Sequence, residues 1–157
     1  AGEVIPQELV EKINAASKFN QGFMTAELAA ASILDMRWHE LTSVEGIDVD
    51  KFEAQVAKEI GLIPQITYRY QSTYFNHIFG GSGYDSGYYG YLWSEVLDKD
   101  AFSIFQSSPN GVWDKELALK FKKTFLERGG SEEPMVLYHE FAGRDPQSDA
   151  MLKARGL

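Results

Sequence analysis

The 157-residue chain contains no cysteine. Disulfide bonds and cysteine-based metal sites are therefore excluded, and a reducing compartment such as the cytosol is allowed. No run of about eighteen apolar residues is present, so the sequence predicts no membrane-spanning helix. The first residues, AGEVIP, lack the basic and apolar regions of a signal peptide. We therefore expect a cytoplasmic protein.

Positive charge is also scarce, because 15 Lys and Arg residues face 23 Asp and Glu residues, for a net charge of −8. This balance argues against nucleic acid or an anionic membrane as a partner. Hydrophobic residues make up 44% of the chain, which is ordinary for a globular protein. With no repeat and no linker-like segment, residues 1–157 are expected to form one domain.

Glycine is concentrated in one stretch, YFNHIFGGSGYDSGYYGYLWSE, at residues 74–95. Gly80, Gly81 and Gly83 flank Ser82 and predict a loop that tolerates positive φ and close approach of another backbone. A glycine-rich loop before a helix also suggests phosphate binding. The Walker pattern GxxxxGK[ST] is absent, however, and no strand of the dinucleotide-binding type precedes the loop.

Three tyrosines follow the glycines at the spacing of a helix face. Tyr84, Tyr88 and Tyr91 lie at i, i+4 and i+7, so a helix that begins near Asp85 would place their rings on one stripe. Buried phenols need hydrogen-bond partners, and a peptide offers many carbonyls. His77, just before the loop, could donate to the same ligand. Packing at the edge of an amphipathic helix is the alternative interpretation.

Apolar spacing elsewhere predicts an all-α fold, an irregular helical domain of about six or seven helices with a Gly-rich loop. Asp50, followed by Glu53, is the expected N-cap of the third helix, as Asp114 and Ser131 are for the fifth and sixth. The segment Leu62–Tyr70 is interpreted as a loop, with a short strand as the alternative. The predicted helices run from Pro6 to Phe19, from Thr25 to Leu41, from Asp50 to Gly61, from Tyr84 through Leu97 to Phe105 with an irregularity near residues 98–100, from Asp114 to Gly129, from Ser131 through Phe141, and from Pro146 to Gly156.

No zinc-binding motif of the HExxH type is present. His39-Glu40 is followed by LTS, and His139-Glu140 by FAG, so neither pair has a second histidine one helical turn later. Both histidines are interpreted as lying on helix surfaces. We expect no metal site in this chain.

Three segments together resemble the thimet oligopeptidase family of zinc metallopeptidases. They are SKFNQGF with the following AELAAASILDMRWHEL (17–41), HIFGGSGYDSGYYGYLWSEV (77–96) and MLKARGL (151–157). In that family the HExxH helix and the third zinc ligand precede the part that matches this chain. The resemblance therefore implies the C-terminal quarter of a larger peptidase, with zinc in the full-length parent and none bound here.

The resemblance also implies roles for individual residues. His77 matches a histidine that hydrogen-bonds the substrate backbone near the scissile bond, and Tyr91 matches the tyrosine whose hydroxyl faces the oxyanion. Tyr84 matches the tyrosine that closes the loop onto the substrate, and Tyr88 one that contacts its primed side. The loop glycines, Gly80, Gly81 and Gly83, match the substrate-binding loop, in which Ser82 is an insertion relative to some members.

The leading hypothesis is thus a substrate-binding part of a zinc-dependent oligopeptidase that hydrolyses short peptides and is inactive alone. Its expected partners are short peptides and the missing N-terminal part of the enzyme. An apolar patch around the aromatic stripe and the first two helices would then be exposed, and self-association is possible. Two alternatives are a stand-alone peptide-binding domain and a helical domain without a ligand.

Overall fold

The computed structural model describes residues 2–81 and 83–157, so Ala1 and the loop insertion at Ser82 lie outside the described residues. Within that part the predicted all-α fold is confirmed, with helices and no strand. The α-helices are α1 Gln7–Ala16, α2 Gln21–His39, α3 Val49–Glu59, α4 Asn76–Phe79, α5 Gly90–Ser107, α6 Lys115–Phe121, α7 Pro134–Ala142 and α8 Asp149–Arg155. Short 3-10 turns lie at Ser72–Tyr74 and Gly111–Trp113, and a π-helical turn lies at Lys122–Leu126.

The chain divides into two compact units, Ala1–Leu92 and Trp93–Leu157. Each unit has a core of its own and is described separately. The division does not test whether residues 1–157 fold as one domain, which stays a prediction.

Helix α2 is the central element of the first unit, as its apolar composition predicted. It buries Leu34, Trp38 and the small residues Ala30 and Ala31. The Trp38 indole donates its Nε1–H to Ser72 Oγ at 2.6 Å, which satisfies a buried polar group. The buried residues of this core are Ala30, Ala31, Leu34, Trp38, Val56, Tyr68, Phe75, Ile78 and Tyr88.

The second unit is built around Phe141 of α7. Its ring contacts Phe105, Phe121 and Phe125, with centroids 5.6 to 6.1 Å apart. Phe121 and Phe125 face inward as predicted, the first at the end of α6 and the second in the π-helical turn. Asp114 caps α6, as predicted, by accepting the backbone N–H groups of Glu116 and Leu117.

Several predicted helix starts are wrong. Helix α2 begins at Gln21 instead of Thr25, and α3 is capped by Asp48, which accepts from Lys51 N, instead of Asp50. Helix α7 begins at Pro134, so Ser131 is not its cap. Proline suits this first position because its missing N–H would have no helical partner there.

The largest correction concerns the fourth predicted helix. Helix α5 begins at Gly90, six residues later than Tyr84, and continues to Ser107 without the expected irregularity. The segment Leu62–Tyr70 contains no strand. The tyrosines therefore do not lie along one helix, and another arrangement brings their rings together.

Candidate functional site

The glycine-rich loop follows His77, which lies on the short helix α4. A Cβ atom on Gly80 would lie 2.6 Å from the carbonyl oxygen of Asn76, so no larger residue fits there without a shift of the backbone. Gly81 and Gly83 have φ values of +74° and +79°, in the left-handed region that glycine adopts without strain. All three glycines are thus required by the conformation of the loop.

A non-helical turn links the loop to α5. Gly87 N donates to Tyr84 O at 2.9 Å, Gly90 N to Gly87 O at 3.0 Å, and Tyr91 N to Tyr88 O at 3.3 Å. These are three-residue turn bonds, and Ser86 within them has a left-handed φ of 57°. A left-handed residue interrupts a right-handed helix, which explains why α5 starts only at Gly90.

The side chain of Asp35, on α2, binds this turn. Its Oδ1 accepts the backbone N–H of Ser86 at 3.0 Å, and its Oδ2 accepts that of Tyr88 at 2.9 Å. His39 Nδ1 lies 2.9 Å from the same Oδ1 and 2.9 Å from the Asp35 carbonyl oxygen. The Asp35 side chain is completely buried.

The turn gathers the predicted site residues into one ring cluster, which we define as His77, Tyr84, Tyr88 and Tyr91. The His77 ring lies 5.8 Å from Tyr84, 5.6 Å from Tyr88 and 6.3 Å from Tyr91, measured between centroids. The rings of Tyr84 and Tyr91 stack 5.3 Å apart and are nearly parallel, at 3°. Sequence spacing thus named residues that do meet, although it proposed the wrong backbone conformation for them.

Exposure differs among the tyrosines of the ring cluster. Tyr91 is 41% exposed, whereas Tyr88 is only 3% exposed and belongs to the core of the first unit. His77 and Tyr84 are half-buried. Tyr91, His77 and Tyr84 therefore form the accessible surface of the ring cluster, with Tyr88 beneath them.

The hydroxyl of Tyr91 is a proton donor at neutral pH. Hydrogen bonding with the Tyr84 side chain is the main cause that raises the pKa of Tyr91 to about 12. Burial raises the pKa of Tyr88, although the nearby Arg69 opposes that shift. Both phenols therefore stay protonated well above neutral pH.

The spacing of residues in the sequence did not indicate two residues that form this site, Tyr70 and Asp35. Tyr70 stacks on Phe75, with centroids 4.9 Å apart, and its ring also lies 5.5 Å from that of His77. Asp35 lies within the apolar sequence of α2 and fits no motif of its own. A buried carboxylate in an apolar helix is the one sequence feature that could have indicated it, since such a group needs partners.

The described residues contain no group of three or more His, Cys, Asp or Glu side chains that could hold a metal ion. His39 pairs with Asp35, and His139 Nε2 lies 2.6 Å from Asp145 Oδ1. The described side chains thus do not form the zinc site that the resemblance implies for a full-length enzyme. No helix in the described part of the chain is long and apolar enough to cross a membrane.

Comparison with known proteins agrees with the geometry. The family model "Peptidase family M3" matches residues 1–157. Dipeptidyl carboxypeptidase of Escherichia coli is 44% identical over 160 residues, covering 100% of this chain and 23% of the relative. Oligopeptidase A of the same organism is 38% identical over 157 residues, covering 99% of this chain and 23% of the relative. Saccharolysin of Saccharomyces cerevisiae is 30% identical, covering 99% and 22%. The chain thus spans about a quarter of the length of these relatives.

Proposed function

This chain belongs to peptidase family M3, and on that premise we propose that it is the substrate-binding part of a zinc-dependent oligopeptidase. The whole enzyme would be cytoplasmic and would hydrolyse short peptides. Its HExxH helix and zinc ligands would come from the polypeptide that precedes this part. The chain alone is proposed to be inactive.

The observation that carries this proposal is the ring cluster beside the glycine-rich loop. His77, Tyr84 and Tyr91 present a ring nitrogen and two hydroxyls in a half-exposed group, next to glycines that let a peptide backbone approach closely. A peptide backbone supplies the carbonyl acceptors that such donors need. No group of three or more described His, Cys, Asp or Glu side chains that could hold a metal ion lies at the same place.

Tyr91 and His77 are proposed as the catalytic donors. The carbonyl oxygen of a scissile peptide bond gains negative charge when a nucleophile adds to its carbon. A positioned phenol O–H stabilises that charge more in the transition state than in the ground state, which is the condition for rate enhancement. The Tyr91 phenol carries the required proton at neutral pH, as an ordinary phenol does. His77 would bind the neighbouring substrate backbone.

Tyr84 and the loop are proposed to bind the substrate directly. Gly80, Gly81 and Gly83 would let the loop approach the peptide, and Tyr84 would close over it. The resemblance implies that Tyr88 contacts the primed side of the substrate. Because Tyr88 is 3% exposed in this chain, we propose instead that it contributes indirectly, by supporting the rings of His77 and Tyr91.

The test is the affinity of the purified chain for a fluorescently labelled oligopeptide, measured by anisotropy. We expect the double variant Tyr91→Phe/His77→Ala to bind about 30-fold more weakly, because it loses two hydrogen bonds of roughly 1 kcal/mol each at a partly solvated site. The matched control is Tyr89→Phe, which removes the hydroxyl of an adjacent tyrosine that is 54% exposed. The control should bind like the wild type.

Three results would contradict the proposal. Unchanged affinity in a folded double variant would remove the binding role of these donors. Absence of binding to the wild type would favour a helical domain without a ligand. Chelator-sensitive cleavage of the peptide after zinc is added would show that a metal site lies within this chain.

A further inference from the structure

We propose that Asp35 is a positioning residue for the ring cluster. Its buried carboxylate fixes the turn that carries Tyr84, Tyr88 and Tyr91, and the end of α2 thereby holds both sides of the glycine-rich loop. This inference rests on the proposed function, since it concerns the same peptide site. It assigns a role to a residue that contacts no substrate itself.

The first argument is the use of both carboxylate oxygens. Oδ1 accepts from Ser86 N at 3.0 Å and Oδ2 from Tyr88 N at 2.9 Å, and both donors belong to the backbone of the turn. A fully buried carboxylate is strongly disfavoured unless charge-assisted hydrogen bonds compensate it. The turn supplies two such bonds, and His39 Nδ1 lies 2.9 Å from Oδ1. The position of the turn and the burial of Asp35 therefore depend on each other.

The second argument is the conformation of Ser86. Its φ of 57° is left-handed, which a residue with a Cβ adopts rarely and with strain. Such a conformation persists only where surrounding contacts impose it. The bond from Ser86 N to Asp35 is such a contact, and it joins residues 51 positions apart in the sequence. Local sequence alone would allow the helix that the tyrosine spacing predicted.

The third argument is that the same turn of α2 contacts the other end of the loop. The ring of Phe79, the residue before Gly80, lies 6.0 Å from Trp38 and 5.8 Å from His39. Asp35 holds the segment after the loop through Ser86 and Tyr88. Residues 35–39 thus contact the segments on both sides of the glycine-rich loop.

The experiment compares Asp35→Ala, Asp35→Asn and the matched control Leu34→Ala. Leu34 is the preceding residue of α2 and is equally buried, but it packs in the core of the first unit. Amide resonances of Ser86 and Tyr88, ring-to-ring nuclear Overhauser effects between Tyr84 and Tyr91, and peptide affinity are measured for each. The amides and rings report the geometry of the turn whether or not a peptide binds.

For Asp35→Ala we expect upfield shifts of both amide protons, loss of the Tyr84–Tyr91 ring effects and at least a tenfold loss of peptide affinity. Asp35→Asn should be intermediate, because an amide oxygen can accept one bond but its NH₂ group cannot accept the other. It also preserves the side-chain shape if the alanine variant fails to fold. Leu34→Ala should lose stability and change the three site measurements much less than Asp35→Ala does.

A rescue variant separates positioning from general stability. Ser86→Gly removes the strain of the left-handed residue, so in the Asp35→Asn background it should restore the ring effects and part of the affinity. Unchanged amides and ring effects in folded Asp35→Asn and Asp35→Ala would overturn the inference. So would equal losses in Leu34→Ala. A wild type that binds no peptide would defeat the proposed function alone, because the ring effects would still decide the role of Asp35.

Discussion

Asp100 is a buried carboxylate that is stabilised by several hydrogen bonds. It is 3% exposed and accepts from the Tyr138 hydroxyl, from Gln147 N at 3.1 Å and from the Arg144 guanidinium, with Nη2 at 2.8 Å. Hydrogen bonding with Arg144 is the largest cause that lowers the pKa of Asp100 to about 2, and burial opposes it. Burial is the largest cause that raises the pKa of Tyr138, and its hydrogen bond with Asp100 is the second. This group joins α5 to α7 and to the segment that follows α7.

We predict a pH-dependent loss of stability for Asp100→Asn. The folded pKa of about 2 lies below the ordinary value of 3.8, so the charged carboxylate stabilises the fold above pH 3.8. That contribution is on the order of 2 kcal/mol. It is lost as the pH falls from 3.8 through the folded pKa. Urea unfolding should therefore show a gap between wild type and variant at pH 6 that narrows by about that amount toward pH 2.

The matched control is Asp98→Asn, two residues earlier on α5. Its side chain is 64% exposed and pairs with Lys99 at the surface, so removal of its charge should change the unfolding free energy by roughly 0.5 kcal/mol or less. A gap for Asp100→Asn that stays constant with pH would mean that the carboxylate charge contributes nothing beyond its shape.

Helix ends show where local sequence rules stop being sufficient. Asp114 could be assigned as a cap from sequence because its partners, Glu116 and Leu117, are its own neighbours. Asp50 and Glu53 satisfied the same rule, yet Glu53 accepts the distant Ser72 N and Asp48 caps α3 instead. Asp48 and Asp50 are only two residues apart, so the local energies of an N-cap at either position are similar. A tertiary hydrogen bond therefore decides between them.

A tertiary hydrogen bond also decides the conformation of the turn from Tyr84 to Tyr89. The spacing of the tyrosines predicted that they share one surface, and their rings do meet. The spacing also predicted a helix, which the bonds from Asp35 to Ser86 and Tyr88 replace by a turn. The meeting of these rings was thus predictable from the spacing, whereas the peptide site that the family resemblance assigned to them stays a prediction. The backbone of the turn was not predictable, because the deciding contact comes from 51 residues away.

We predict opposite stability changes for two glycine-to-alanine substitutions in helices. Gly143 ends α7 with φ +73°, and its N–H donates to His139 O at 2.8 Å. Alanine there should destabilise by roughly 1 kcal/mol, because a Cβ disfavours the left-handed region. Gly22 is the matched control, since it lies in the first turn of α2 with open space around its missing Cβ. Alanine there should stabilise by roughly 0.5 kcal/mol.

Thermal unfolding followed by circular dichroism at 222 nm measures both changes in one experiment. The opposite signs make the pair informative, because a general sensitivity of the chain to substitution would lower the midpoint in both. If Gly143→Ala were neutral, the left-handed end of α7 would not be a constraint on the fold.

At the scale of the whole chain, apolar surface is exposed on the first helix. Leu9 and Ile13 form its apolar stripe and are 47% and 59% exposed, and α1 has no buried residue. Phe19, three residues after the end of α1, is 77% exposed. The sequence could predict an amphipathic α1 from its spacing, but not what its apolar side packs against. The relatives are about four times as long as this chain. We propose that polypeptide outside the matched part covers this apolar stripe in the whole protein.

A chain with this exposed stripe is predicted to self-associate weakly. The net charge of −8 opposes association at low ionic strength, so added salt should strengthen it by screening the repulsion. Replacing Leu9 and Ile13 by Gln removes two apolar side chains, each worth about 1.5–3 kcal/mol when fully buried. The double variant should therefore raise the dissociation constant at least tenfold.

Sedimentation velocity over a concentration series, at low and high salt, measures this association. The matched control is Asn14→Gln, an exposed polar substitution on the same helix that leaves the apolar stripe intact. The control should associate like the wild type, because neither the charge nor the apolar surface changes. A wild type that stays monomeric at every concentration and salt level would contradict the prediction. Association that persists in the Leu9→Gln/Ile13→Gln variant would assign it to a surface other than α1.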